Sequence, residues 1–214
     1  KSLVTLDLCA RITTGRAYPD GQPGPAPASV VVLSGDDGAR DVITGRLRAA
    51  GADMARAQAF DREPGEALLR LPGQLARLEA AVARRGARYV VIDPITAFLD
   101  LNVNLACDRS VHAALAPLAG LAQRRGCVIH MIRHLNKGGG QNALYRGLHS
   151  IGFIANCRVG WLVACDPGVA NQYVVAQPKS NLDLPQPSLA YAIESHESGN
   201  PVIAWRGLSQ CNAL

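Results

Sequence analysis

The run Tyr89-Val90-Val91-Ile92-Asp93 decides the fold. Its β-branched core, Val90, Val91 and Ile92, favours a strand, and the lack of polar alternation says that both faces of that strand are covered. An acid closing so apolar a run belongs at the strand's tip, because an unpaired carboxylate is costly inside a core. Two further runs share the pattern, Ser29-Val30-Val31-Val32-Leu33-Ser34 before it and Cys127-Val128-Ile129-His130-Met131-Ile132 after it. Helical periodicity fills the spaces around them, over residues 2–14, 40–50, 75–85 and 110–125, the last three closed by Gly51, Gly86 and Gly126. Buried strands alternating with helices predict an α/β fold, a mostly parallel sheet flanked by helices. Residues 158–164, 173–177, 189–193 and 202–205 read as more strands, closely spaced and punctuated by Pro, Asn and Gly. They predict antiparallel hairpins extending the sheet toward the C-terminus.

The chain's 214 residues suit one domain, residues 1–214. The composition is that of a globular protein rather than a disordered one, and no apolar run is long enough to span a bilayer. The net charge of +5 permits a polyanionic partner without demanding one. Six cysteines show neither a C-x-x-C pair nor zinc-ligand spacing, and Cys9, Cys127, Cys157 and Cys165 sit in apolar segments. They read as small hydrophobes in a reducing, cytoplasmic setting.

Ligands of a doubly wound sheet bind beyond the carboxyl ends of its strands. There the sequence places Asp36 and Asp37, then Asp93, then His134 and Lys137. Asp37 suits a helix N-cap, leaving Asp36 to face a ligand and polarise an attacking water. Asp93 is the carboxylate of a Walker B pattern, placed to hold Mg²⁺ or its water. His130, alternating with buried positions, reads as a satisfied core or edge histidine, and His134 as a sensor of a terminal phosphate. The following loop, Leu135-Asn136-Lys137-Gly138-Gly139-Gly140-Gln141-Asn142, is rich in glycine. It reads either as a plain connection or as a loop touching nucleic acid, with Lys137 and Arg146 as phosphate contacts. Lys1-Ser2 opens a helix, as the last residues of a phosphate-binding loop do: the Lys reaches the β- and γ-phosphates and the hydroxyl ligates Mg²⁺. On that reading the first strand and the glycines of the loop lie upstream of Lys1.

Together these stretches resemble the RecA-fold P-loop ATPases of the RepA type, ring helicases of plasmid replication with phage and bacterial relatives. The resemblance continues through Ala143-Leu144-Tyr145-Arg146-Gly147-Leu148-His149-Ser150, Lys179-Ser180-Asn181-Leu182, Leu189-Ala190-Tyr191-Ala192-Ile193 and Ile203-Ala204-Trp205-Arg206-Gly207, in the family's order. It implies a RecA-like motor that binds ATP with Mg²⁺ and hydrolyses it, a helicase-like protein of DNA replication or repair. Lys1 and Ser2 would bind nucleotide, Ser2 and Asp93 the metal. Asp36 would stand where the family carries a catalytic Glu, one methylene longer. His134 would sense the γ-phosphate. Lys179 would lie near a subunit boundary and act on a neighbour's nucleotide, with Arg158 as the other cation for that role. The implied assembly is a homo-oligomeric ring, a hexamer among the options, with single-stranded DNA in its channel and no membrane association. A second reading stays open, a nucleotide- or partner-binding switch or scaffold with little turnover. It is favoured by the Asp36 replacement. Only Tyr145 lies in the candidate loop as a stacking aromatic, so base stacking contributes little to DNA binding.

Overall fold

The computed structural model describes residues 1–35, 39–60, 67–134 and 151–211. Helix α1 (Ser2–Thr14) leads through an irregular loop to strand β1 (Ser29–Ser34). Helix α2 (Ala39–Ala49), strand β2 (Ala57–Ala59), helix α3 (Leu75–Arg85) and strand β3 (Ala87–Asp93) follow. A short helix α4 (Ile95–Phe98) and the long α5 (Asp108–Arg125) lead to strand β4 (Val128–Met131). The remainder comprises α6 (Gly152–Ala155) and strands β5 (Val159–Cys165), β6 (Gln172–Ser180), β7 (Leu189–Ser195) and β8 (Pro201–Leu208).

Strands β2, β1, β3 and β4 form, in that order, a parallel sheet. Its central strands carry unbroken apolar runs, Val30 to Leu33 and Tyr89 to Ile92, because each face packs on a separate core. Val31, Leu33, Val90 and Ile92 point to one side, against Leu78 and Val82 of α3 and Leu115, Leu118 and Leu121 of α5. Val30, Val32, Tyr89 and Val91 point to the other, against Val4 and Leu8 of α1 and Ile43 and Leu47 of α2. Gly86 and Gly126 close α3 and α5 in the left-handed conformation, at φ 59° and 58°, which glycine adopts without steric penalty. Each turns the chain directly into the next strand.

The C-terminal strands do not extend this sheet as the sequence suggested. They form their own antiparallel sheet in the order β5-β6-β7-β8. Among the described residues β4 and β5 are joined through side chains rather than backbone: the Trp161 ring meets His130 edge-on at 5.3 Å. The second sheet instead packs on the α1–α2 side of the first, with Val175 and Tyr191 in the same core as Val4 and Leu8 of α1 and Ile43 and Leu47 of α2. Strand β2 was not evident in the sequence because it has only three residues and none is β-branched. Cys165, expected in an apolar setting, is exposed at the end of β5, whereas Cys9 is fully buried. Among the described residues no helix is long and apolar enough to cross a membrane.

Candidate functional site

The parallel register of β1, β3 and β4 brings their carboxyl ends to one edge, with Ser34 beside Asp93 and Ile92 beside Met131. Asp93 ends β3, and the chain turns away at once through Pro94 into α4. The turn is held by the Ile95 amide, which donates to Ile132 O at 2.9 Å, and by the Gly35 amide, which donates to Asp93 O at 2.8 Å. Gly35 has no room for a side chain: a Cβ there would stand 2.9 Å from Ala97 Cβ and 3.3 Å from Pro94 Cδ. Sequence reading passed over this close approach; its signal was a glycine immediately after a strand.

Helix α1 delivers its first residues to the same edge. Its apolar body is buried, and an acid within it, Asp7, fixes its seat. Asp7 Oδ2 accepts from Arg11 Nε at 2.7 Å and from Trp205 Nε1 of β8 at 2.8 Å. At the head of α1, Ser2 Oγ donates to Asp93 Oδ2 at 2.5 Å. Lys1 Nζ donates to Arg133 O at 2.9 Å and lies 3.4 Å from His134 Nδ1. Partial burial pushes the Lys1 ammonium below the usual lysine range, and the Asp93 carboxylate opposes that shift. Thus Lys1, Ser2, Asp93 and His134, far apart in sequence, meet in one corner. Arg133 enters as a partner that sequence reading missed; a backbone carbonyl leaves no trace in residue type.

Lys179 is elsewhere. Its ammonium donates to Ile154 O at 2.8 Å and Ala155 O at 3.1 Å, so it caps the end of α6 within its own chain. Any role on a neighbouring subunit would require giving up these bonds. Arg158 carries β6 through its backbone, its carbonyl accepting from the Asn181 amide at 2.8 Å. Asp36 and Asp37, and the loop with Lys137, Tyr145 and Arg146, lie outside the described residues. His130 is the satisfied histidine expected, its Nδ1 2.8 Å from the Tyr89 hydroxyl.

Chemically, the corner offers an ammonium, a hydroxyl, a carboxylate and an imidazole at the head of a helix. The backbone amides of a helix start, with its dipole, favour an anion there. Among the described residues no group of three or more His, Cys, Asp or Glu could cage a metal. Mg²⁺ takes one or two protein oxygens and completes its shell with water and phosphate oxygens. Ser2 Oγ and Asp93 Oδ2 supply such a pair.

Among solved structures, the fold resembles a DnaB-like replicative helicase studied with primase (TM-score 0.66, 13% identity, covering 94% of this chain). The chain spans 54%, about half, of that helicase's length. It also resembles a second solved protein described as an ATPase domain (TM-score 0.64, 13% identity, 98% of this chain and 81% of that one). The RadB recombinase is similar at TM-score 0.52 and 12% identity, over 82% of this chain and 78% of that one. No curated protein matches the sequence. The α/β architecture, with its parallel sheet and antiparallel C-terminal strands, is therefore RecA-like. Residues 1–140 match the family described as AAA domain, and the chain belongs to that family.

Proposed function

We propose that this chain is the ATP-hydrolysing core of a RepA-type, helicase-like motor that works as a ring on single-stranded DNA in replication or repair. The observation that carries the reading is the meeting of Lys1, Ser2, Asp93 and His134 at the carboxyl edge of the parallel sheet. Lys1 binds the β- and γ-phosphates and stabilises charge that builds on them. Ser2 and Asp93 would hold Mg²⁺, which would supply positive charge to offset the charge that builds on the phosphates. Asp36 orients the attacking water, and His134, beside Lys1, contacts the terminal phosphate. Lys137 and Arg146 contact the nucleic acid backbone. The resemblances in fold to a DnaB-like replicative helicase and to a solved ATPase domain support the helicase-type ATPase reading.

The exposed edge of the parallel sheet leaves β4 open to a further strand. Val128 of β4 is apolar yet 58% exposed, and among the described residues β4 pairs with β3 alone. A strand laid between β4 and β5 would cover it. The whole reading is tested by steady-state ATPase activity with and without single-stranded DNA. Turnover that falls to background in Lys1→Ala supports the motor. Nucleotide binding without turnover above that variant replaces it with a switch or scaffold module.

A further inference from the structure

Arg133 faces two ways. Its carbonyl accepts from Lys1 Nζ at 2.9 Å, inside the corner. Its guanidinium lies over the Phe153 ring, 5.4 Å from the centroid. Phe153 is 3% exposed and is the apolar anchor of α6 in the core beneath α5. A helix this short cannot hold itself, since nucleation costs more than its few internal bonds return. It depends on ties from outside. The Gly152 amide donates to Asp108 Oδ1 at 3.0 Å, Lys179 caps the last carbonyls, and the Cys157 thiol donates to Phe153 O at 3.3 Å. Arg133 adds a cation on the face of the anchoring ring.

We propose that Arg133 is a positioning residue that ties the Lys1 corner to α6, so that a phosphate drawing Lys1 away from Arg133 O loosens α6. The physical argument is donor accounting. An ammonium has three N–H donors. In the described state one goes to Arg133 O, and another faces His134 Nδ1. A phosphate oxygen competes for both, being the stronger, charged acceptor. Freed of Lys1, the backbone at Arg133 shifts, and the guanidinium shifts with it on Phe153. The inference rests on the corner being a phosphate site.

The test is hydrogen exchange of the Ala155 and Asn156 amides, which donate to Ile151 O and Gly152 O. It is read with and without MgATP, beside calorimetric binding of MgATP. In the wild-type protein MgATP should speed exchange at these amides about fivefold, the scale of a small shift in local stability. Arg133→Met should bind MgATP within about threefold of wild type, a difference well under 1.4 kcal/mol, yet lose the nucleotide-dependent change. Arg133→Lys, which keeps the cation, should restore part of it, and Phe153→Leu, which keeps the apolar anchor without the ring face, should lose it. A purely structural Arg133 would shift exchange equally with and without nucleotide, and that result overturns the proposal. So does MgATP binding with no change at α6, an outcome that leaves the ATPase reading standing. No MgATP binding at all overturns both.

Discussion

Ser2 Oγ lies 2.5 Å from Asp93 Oδ2, although 91 residues separate them in the chain. The first turn of α1 and the tip of β3 are thus held in register by a charge-assisted hydrogen bond. Both oxygens belong to the corner proposed to hold magnesium, so the bond also sets the spacing of the two donors.

Removing either oxygen should be read through that shared role. Asp93→Asn is expected to lower Mg²⁺-dependent ATP hydrolysis about 100-fold or more, since groups that only orient a metal ligand are already worth about 10–100-fold. Ser2→Ala should lose activity and raise the Mg²⁺ concentration needed for half-maximal rate, whereas Ser2→Thr, which keeps the hydroxyl, should retain most of it. A phosphate-release assay across a magnesium titration gives both values. Equal loss in Ser2→Thr and Ser2→Ala would argue against the hydroxyl as a ligand.

Gly35 reports on the same corner from β1. Its amide holds Asp93 O, and a methyl group added there would be forced within 2.9 Å of Ala97 Cβ. Gly35→Ala should cost about 1–3 kcal/mol through overpacking, and should reduce hydrolysis by displacing the Asp93 turn. Urea unfolding and ATPase rates check the two effects separately. Unchanged stability would show that α4 yields freely.

The seat of α1 can be tested away from the corner. Trp205→Phe removes one donor from the Asp7 carboxylate, whose other tie is Arg11. Leaving a buried acceptor short of a donor should cost about 1–3 kcal/mol. Asp7→Ala, which removes the acceptor, should also destabilise, and the double variant should lose less than the sum, because both changes break the same bond. Additive losses measured by chemical denaturation would mean that the bond contributes nothing of its own.

Acid should weaken the fold through His130. Burial beneath Trp161 and beside Tyr89 pushes its pKa down to about 4, whereas an unfolded histidine titrates near 6.5. Between these values the unfolded chain binds the proton and the folded one does not, so stability falls as pH drops from about 6.5 to about 4. Below that window the loss is complete, and above it the term vanishes. His130→Gln should flatten the dependence of Tm on pH between 7 and 4.5. A variant with the same slope as wild type would assign the acid sensitivity to other groups.

Much of this protein was legible in its sequence. The apolar runs ending at Ser34 and Asp93 announced a parallel sheet covered on both faces, because a strand buried twice carries no polar alternation. Glycines after helical stretches marked where α3 and α5 stop, since few other residues enter the left-handed conformation there. Residue types at strand ends nominated Asp93, His134 and the Lys1-Ser2 pair. Other features arise only between distant segments. Ser2 meets Asp93, and Lys1 meets the carbonyl of Arg133, because the β3–β4 register and the Asp7–Trp205 bond together set where α1 begins. The closing strands form a sheet of their own, and β5 meets β4 through the side chains of Trp161 and His130 among the described residues, a pairing that local pattern does not encode. Lys179 looked free to reach outward, but packing places its ammonium on the last carbonyls of α6. Local periodicity and residue chemistry therefore determined which elements form and which groups could act. Long-range packing decided which of those groups share a site, because hydrogen bonds across the chain depend on positions that no single segment specifies.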